Sequence, residues 1–347
     1  MMRVFFFSSL LSLIFSCTGN TKNEGALPQK DFILHEKDLV PEGMAFDNRT
    51  GIAYIGSMYK RKIVQLDSSG NVADFISSSQ DGIWSVLGME VDEDRGHLWA
   101  VNSQHQQMVP MIDPDSLQAR SALHCYDLNS RKLVKKILCA DTGIFLNDLT
   151  VAKNGDVYIT ESLKNRLYLL RNGNNTIERF LQPDSTWFMN GICFSEDEKF
   201  LYLGCWNGLM KVDLRSKKYE WVKTENGIDV SGIDGLSWYR NSLIAHQTDK
   251  VVRFYFNKDA TAIVRADTLS SGTDFDIATT GEIGGNNYYF IVNSQVQSAY
   301  DFSNKTIKPM DSLEAVIIRR LPLRVDSKKN RIMFILLPLH PGPFLYK

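Results

Sequence analysis

A short apolar pattern that returns six times constrains this chain more than any other feature of it. Its clearest copy is Met189–Leu214, MNGICFSEDEKFLYLGCWNGLMKVDL. Ile192–Phe194, Lys199–Gly204 and Leu209–Leu214 alternate apolar and polar residues, with turn-forming Ser195–Glu198 and Cys205–Gly208 between them. Period-two runs cut by turn residues predict an antiparallel meander. Copies begin at Glu42, Leu87, Asn147, Asn190, Asp234 and Phe275, roughly 41–60 residues apart, which is the period of propeller blades. The Phe275 copy is the weakest. A lone meander leaves both faces wet, whereas neighbours stacked in a ring cover them. The expectation is an all-β, six-bladed β-propeller over residues 31–323, built as one domain.

The segment Asp31–Leu39 alternates but has no blade of its own. It is expected to pair beside Leu313–Arg319 and close the last blade, which removes an exposed sheet edge. The longest interval places an insertion between the second and third blades, from Asn102 to about Ala122; long loops on rigid scaffolds are common binding elements. Folding the hairpin at Glu196–Glu198 sets Cys193 opposite Tyr202 rather than Cys205, and Cys125 and Cys139 are similarly out of register. Four buried thiols are therefore expected rather than disulfides.

Both ends depart from the repeat. Met1–Ser16 has one early Arg3 and then an uncharged apolar run, the form of a signal-peptide core and too short to span a bilayer. It ends at Ile14-Phe15-Ser16-Cys17, which is similar to a bacterial lipobox and marks Cys17 for lipidation. Residues 17–30 then read as the lipidated cysteine and a flexible polar tether. This places the mature chain at the cell envelope, on the periplasmic or surface side of a bacterial membrane, touching that membrane through the lipid alone. Residues 324–347 carry no blade pattern and form a tail to which no role is assigned. With a net charge of −1 among 347 residues, there is no basic face to expect nucleic acid. A monomer acting on a small molecule is expected.

Each copy starts at the corner leading into an innermost strand, so its first residue should face the mouth of the central channel. Glu42, Asn147, Asn190 and Asp234 are all oxygen donors in that common register. Two carboxylates and two amide oxygens suit a hard divalent cation. Ca²⁺ is the leading candidate, with Mg²⁺ next, and Zn²⁺ fits less well because no His or Cys joins the set. A single Asn-Gly or Asp-Gly is usually a turn residue; four in one register are not explained that way. The loops after each second strand share the mouth. They bring His105 and His246, with side chains suited to proton transfer near neutrality, and Trp206 and Gln247 as substrate contacts.

PEGMAFD, FLND, MNGICFS and GIDGLSW, in this order and spacing, resemble the metal-loop motifs of the gluconolactonase/regucalcin family of six-bladed propellers. The resemblance covers about Asp31–Leu323. The related diisopropyl fluorophosphatase and paraoxonase propellers imply the same quartet, Glu42, Asn147, Asn190 and Asp234, around a catalytic Ca²⁺. In regucalcin-like members the residue matching Asn147 lies nearer substrate than metal. The superfamily also implies Asp234 as nucleophile or base. Two departures stand out: Phe145 occupies the place of a sugar-acid-binding Arg, and Gly43 replaces the acidic residue of paraoxonases. The resemblance implies a metal-dependent lactone or ester hydrolase; the alternative is a ligand- or protein-binding propeller whose metal is structural.

If Cys17 carries the lipid, Cys17→Ser shifts the protein from the membrane to the soluble fraction. Unchanged partitioning, with no acyl mass on the N-terminal peptide, would exclude the anchor.

Overall fold

The computed structural model describes residues 28–104 and 119–323, apart from 302 and 305. The leader and Cys17, His105, most of the expected insertion and the tail lie outside these residues. Six sheets are arranged as blades, each beginning with an inner strand: Pro41–Asp47, Ser85–Asp92, Leu146–Val151, Met189–Phe194, Ile233–Trp238 and Gly281–Gly284. The first five are built on consecutive antiparallel meanders, and the fifth adds the short strand Lys223–Thr224, parallel to Ala262–Ser271, at its outer edge. The sixth takes its outermost strand from the other end of the chain. Lys30–Leu34 pairs antiparallel with Val316–Pro322, from Lys30 opposite Arg320 to Leu34 opposite Val316. Arg319 reinforces the closure with two bonds to the Asp31 carboxylate, at 2.7 and 2.8 Å, and one to Asp274 at 2.8 Å. The closing strand is shorter than expected, because Lys37–Leu39 turns as a 3₁₀ segment.

Apolar residues from facing blades make the core. Tyr202, Trp238 and Phe256, for example, stack between the fourth and fifth blades. Cys193 lies opposite Tyr202, and Cys125, Cys139, Cys193 and Cys205 are all buried free thiols.

Two expectations about loops change. Asn102–Gln104 and Arg120–Ala122 are paired strand, so the insertion sits inside the second blade, between its second and third strands, rather than between blades. A further insertion, residues 292–315, interrupts the last blade and includes the small hairpin Tyr300–Asp301 with Thr306–Ile307. Asn293 pins its base, donating to Ala315 O and accepting from Ile317 N.

The inner strands share one irregularity. In the first five, pairing to the second strand skips two residues, as between Pro41 and Met44 or between Met189 and Ile192. This bulge turns the first copy residue toward the axis and brings the second against the next blade. An added Cβ on Gly43 would sit 1.7 Å from Leu87 O, and one on Gly191 only 2.2 Å from Asp234 O. Glycine is required there by close approach. The same contact corrects the sixth copy: the Cβ position of Gly235 meets Thr279 O at 2.6 Å, so Thr279, not Phe275, is the equivalent first residue. Phe275 packs against Phe290 at the side of the last blade.

Gly191→Ala should therefore destabilise the ring by about 3 kcal/mol or more, since a rigid backbone carbonyl occupies the space. Gly51→Ala, in a turn with open space but a positive φ of 72°, should cost only about 1–2 kcal/mol. Urea unfolding of the two variants measures the difference.

Candidate functional site

The bulges gather four of the expected residues at one end of the channel. Asn190 and Asp234 hydrogen-bond through their side chains, and Glu42 lies within the electrostatic reach of Asp234. Asn147 comes from the third blade and is buried. Its Nδ2 donates to Ser162 Oγ at 2.9 Å, while that hydroxyl donates its own proton to Met189 O at 2.6 Å. Ser162 can therefore only accept from Asn147, which fixes the amide and leaves Oδ1 buried with no partner. Thr160 Oγ1 ties the third blade to the fourth by donating to Asn190 O at 2.6 Å.

The electrostatics are one-sided. Glu42 and Asp234 keep some access to solvent, yet the surrounding protein raises both proton affinities well above the carboxylate range. For Glu42 the causes are burial, then the charges of Asp234 and Asp148. For Asp234 they are burial and Asp148, partly countered by the Asn190 hydrogen bond. Asp148 was not singled out by the sequence pattern. It stands where four of the other blades have glycine, accepts from Leu149 N at 2.9 Å and Ile192 N at 3.2 Å, and is pushed up to about 7 by burial. Among the described residues neither Glu42 nor Asp234 pairs with a Lys or Arg. Two carboxylates and an orphaned amide oxygen, whose one neighbouring side-chain donor among the described residues is the neutral amide of Asn190 on Asp234, are complementary to a cation. No group of three His, Cys, Asp or Glu side chains is arranged to hold a metal among the described residues, so such an ion would rest largely on amide oxygens, water and two carboxylates.

Deeper along the axis Asp148, Glu90 and Glu282 line a second cavity of about 240 Å³. Counted from Leu87 and Thr279, Glu90 and Glu282 occupy the fourth position of their copies, and burial raises both, Glu282 to about 7. Aligning the sixth copy on Thr279 would have revealed Glu282 as the counterpart of Glu90.

Asn190 and Asp234 form part of the wall of a mouth cavity of about 520 Å³. Trp206 stands at its lip, as expected, and faces Trp187 from the preceding loop, with ring centroids 6.1 Å apart. Gln247 is engaged structurally: its Nε2 donates to Ser231 O at 2.7 Å and Asp229 O at 3.3 Å, holding the loop ahead of Asp234. His246 does not reach the mouth. It is fully buried within the fifth and sixth blades, its Nε2 lies 2.8 Å from Tyr288 Oη, and burial lowers its pKa to about 3. The strand Ser242–Gln247 extends through this position, so His246 points sideways into the blade rather than out of a loop. Phe145 packs on the core between the second and third blades, where it offers no charge to a substrate.

These raised pKa values set a pH dependence. A carboxylic acid that holds its proton more tightly when folded stabilises the fold below its unfolded pKa of about 4, and that stability is lost as pH rises through the folded value. Metal-free protein should thus melt several degrees lower at about pH 8 than at about pH 5. Ca²⁺ should reduce the difference if it neutralises Glu42 and Asp234. Thermal melts across pH, with chelator and with Ca²⁺, provide the check.

No protein-family model matches the sequence, and no curated protein is similar to it. Solved structures do share its fold. A gluconolactonase from Xanthomonas campestris is 13% identical, with a TM-score of 0.56 over 85% of this chain and 90% of that one. A calcium-binding regucalcin from Agrobacterium tumefaciens is 14% identical, with a TM-score of 0.55 over 84% and 95%. A virginiamycin B lyase from Staphylococcus aureus is 12% identical, with a TM-score of 0.55 over 85% and 99%. At such identities the likeness is one of fold, and the fold is the six-bladed propeller.

Proposed function

We propose that this chain is an envelope-anchored, metal-dependent hydrolase that opens a lactone or ester at the mouth of the propeller. The observation that carries the reading is the grouping of Glu42, Asp234 and the free Oδ1 of Asn147, with no Lys or Arg paired to the carboxylates among the described residues, beside a cavity of substrate size. The fold shared with a gluconolactonase supports it. A divalent cation, Ca²⁺ by the hardness of the donors, would supply polarisation of the carbonyl and charge stabilisation when bound.

The chain's own residues have distinct tasks. Asn147 is oriented by its bond to Ser162 and offers its oxygen without rearrangement, while the Asn190 amide is held by Asp234 and its backbone by Thr160. Asp234 lies in the cavity wall and is the carboxylate placed to take a proton from an attacking water. With His246 enclosed and neutral, Asp234 is the base best supported among the described residues. Gln247 acts through the loop it holds, and Trp206 contacts substrate at the lip. The Cys17 anchor would hold this chemistry outside the cytoplasm.

Glu42→Gln keeps the shape and removes one negative charge, so Ca²⁺ affinity should fall about tenfold or more with the fold retained. Asn190→Ala should weaken Ca²⁺ less. Asp234→Asn should reduce turnover about 10³-fold, whether it serves as ligand, base or both. Calorimetric titration with Ca²⁺ and a panel of lactones, aryl esters and phosphotriesters test this. Absence of any divalent binding defeats the site; normal Ca²⁺ binding without turnover favours a binding propeller instead.

A further inference from the structure

The lip of the mouth cavity is aromatic, and among the described residues no positively charged one lines it. Trp187 and Trp206 are 62% and 52% exposed although they stand side by side, so folding has not used their surface. They meet at 62° rather than stacking flat, which leaves an open wedge above the cavity. The wedge is held in place by hydrogen bonds. Trp206 N donates to Trp187 O at 2.8 Å, Trp187 N to Asn207 Oδ1 at 3.0 Å, and Asn207 Nδ2 to Ser185 O at 2.8 Å.

Two further apolar residues of the wall, Phe188 and Ile277, have left-handed backbones with φ of 51° and 52°. For a β-branched residue such as Ile277 that conformation is costly, and sites that tolerate it are commonly functional. Ile277 is kept there by bonds on either side, Ser294 Oγ to Ile277 O at 2.9 Å and Ala278 N to Thr248 O at 2.9 Å. Among the described residues no Lys, Arg or His lines the cavity, while Asp234 does and Glu42 and Asp148 lie behind it. A carboxylate-bearing ligand would find no counter-ion among the described residues of the wall and would sit beside acidic groups that burial already keeps from ionising. The cavity volume of about 520 Å³ is in the range that holds a drug-sized molecule.

We infer that the mouth selects an uncharged substrate bearing an aromatic or other flat apolar ring, which stacks in the Trp187–Trp206 wedge while its reactive carbonyl faces Asn190 and Asp234. For the reaction this rests on the hydrolase reading; for binding it does not. Trp187 and Trp206 are then specificity-determining residues, and their ring faces supply the affinity.

The test separates binding from turnover. With chelator present, calorimetry compares 2-acetylnaphthalene with 2-naphthoate, a neutral and an anionic probe of nearly equal shape. Wild type should bind the ketone about tenfold or more tightly than the carboxylate, and Trp187→Ala with Trp206→Ala should lose about tenfold for the ketone. Trp206→Phe should recover part of that loss, and circular dichroism should show every variant folded. With Ca²⁺, kcat/KM for dihydrocoumarin should fall by a similar factor in the double variant, chiefly through KM, and glucono-δ-lactone should be a poorer substrate than dihydrocoumarin for wild type. Equal affinity of wild type and double variant for the ketone, or preference for naphthoate, overturns the inference. Ketone binding through the tryptophans without turnover of any lactone overturns the hydrolase reading and leaves this one standing.

Discussion

Six inner strands approach one axis so closely that, at several crossings, there is no room for a β-carbon. That contact, carbonyl of one blade against α-carbon of the next, is what the remainder of the structure depends on. It is seen where Gly43 meets Leu87 O and Gly191 meets Asp234 O. The bulge that permits the approach also aims the preceding side chain at the axis, so a packing requirement and the candidate site arise from the same two residues. A glycine in the second place lets the blades approach, and an acceptor in the first place contributes to the candidate site.

The axis that results is crowded with negative groups. Glu42 and Asp234 lie at the mouth, Asp148 behind them, and Glu90 and Glu282 deeper. Burial makes each charge expensive, and only part of that cost is offset internally, by backbone N–H groups at Asp148, Glu90 and Glu282. A fold that keeps such residues accepts protons or a cation at its centre. Around the mouth the chain instead invests apolar surface, with aromatic rings on hydrogen-bonded loops and left-handed backbones at Phe188 and Ile277.

Much of this was legible in the sequence because the blade repeat carries a register. Reading the first residue of each copy found Glu42, Asn147, Asn190 and Asp234, and the odd strand at the N-terminus predicted the closure of the ring. The register failed where its marker was missing. The sixth copy has Thr280 in the glycine position, so the pattern slid four residues to Phe275, hiding Thr279 and with it Glu282. His246 misled for another reason: a tight turn at Thr248 and Asp249 leaves it inside a strand, where side-chain direction follows strand parity. Trp187 gave no signal, since it lies in an irregular connection with no period to read.

The closing strand also shapes how the ring is reached. Asp31 and Arg319, bonded across the last blade, are 288 positions apart in the chain. Closing so long a loop adds little to the equilibrium cost, which grows only logarithmically with length. Its effect is on order of events: the five local meanders can form as their own hairpins meet, whereas the sixth blade must wait for both ends of the chain. Until then Val316–Pro322 has an unpaired edge, and the first strand made is the last to find its neighbour.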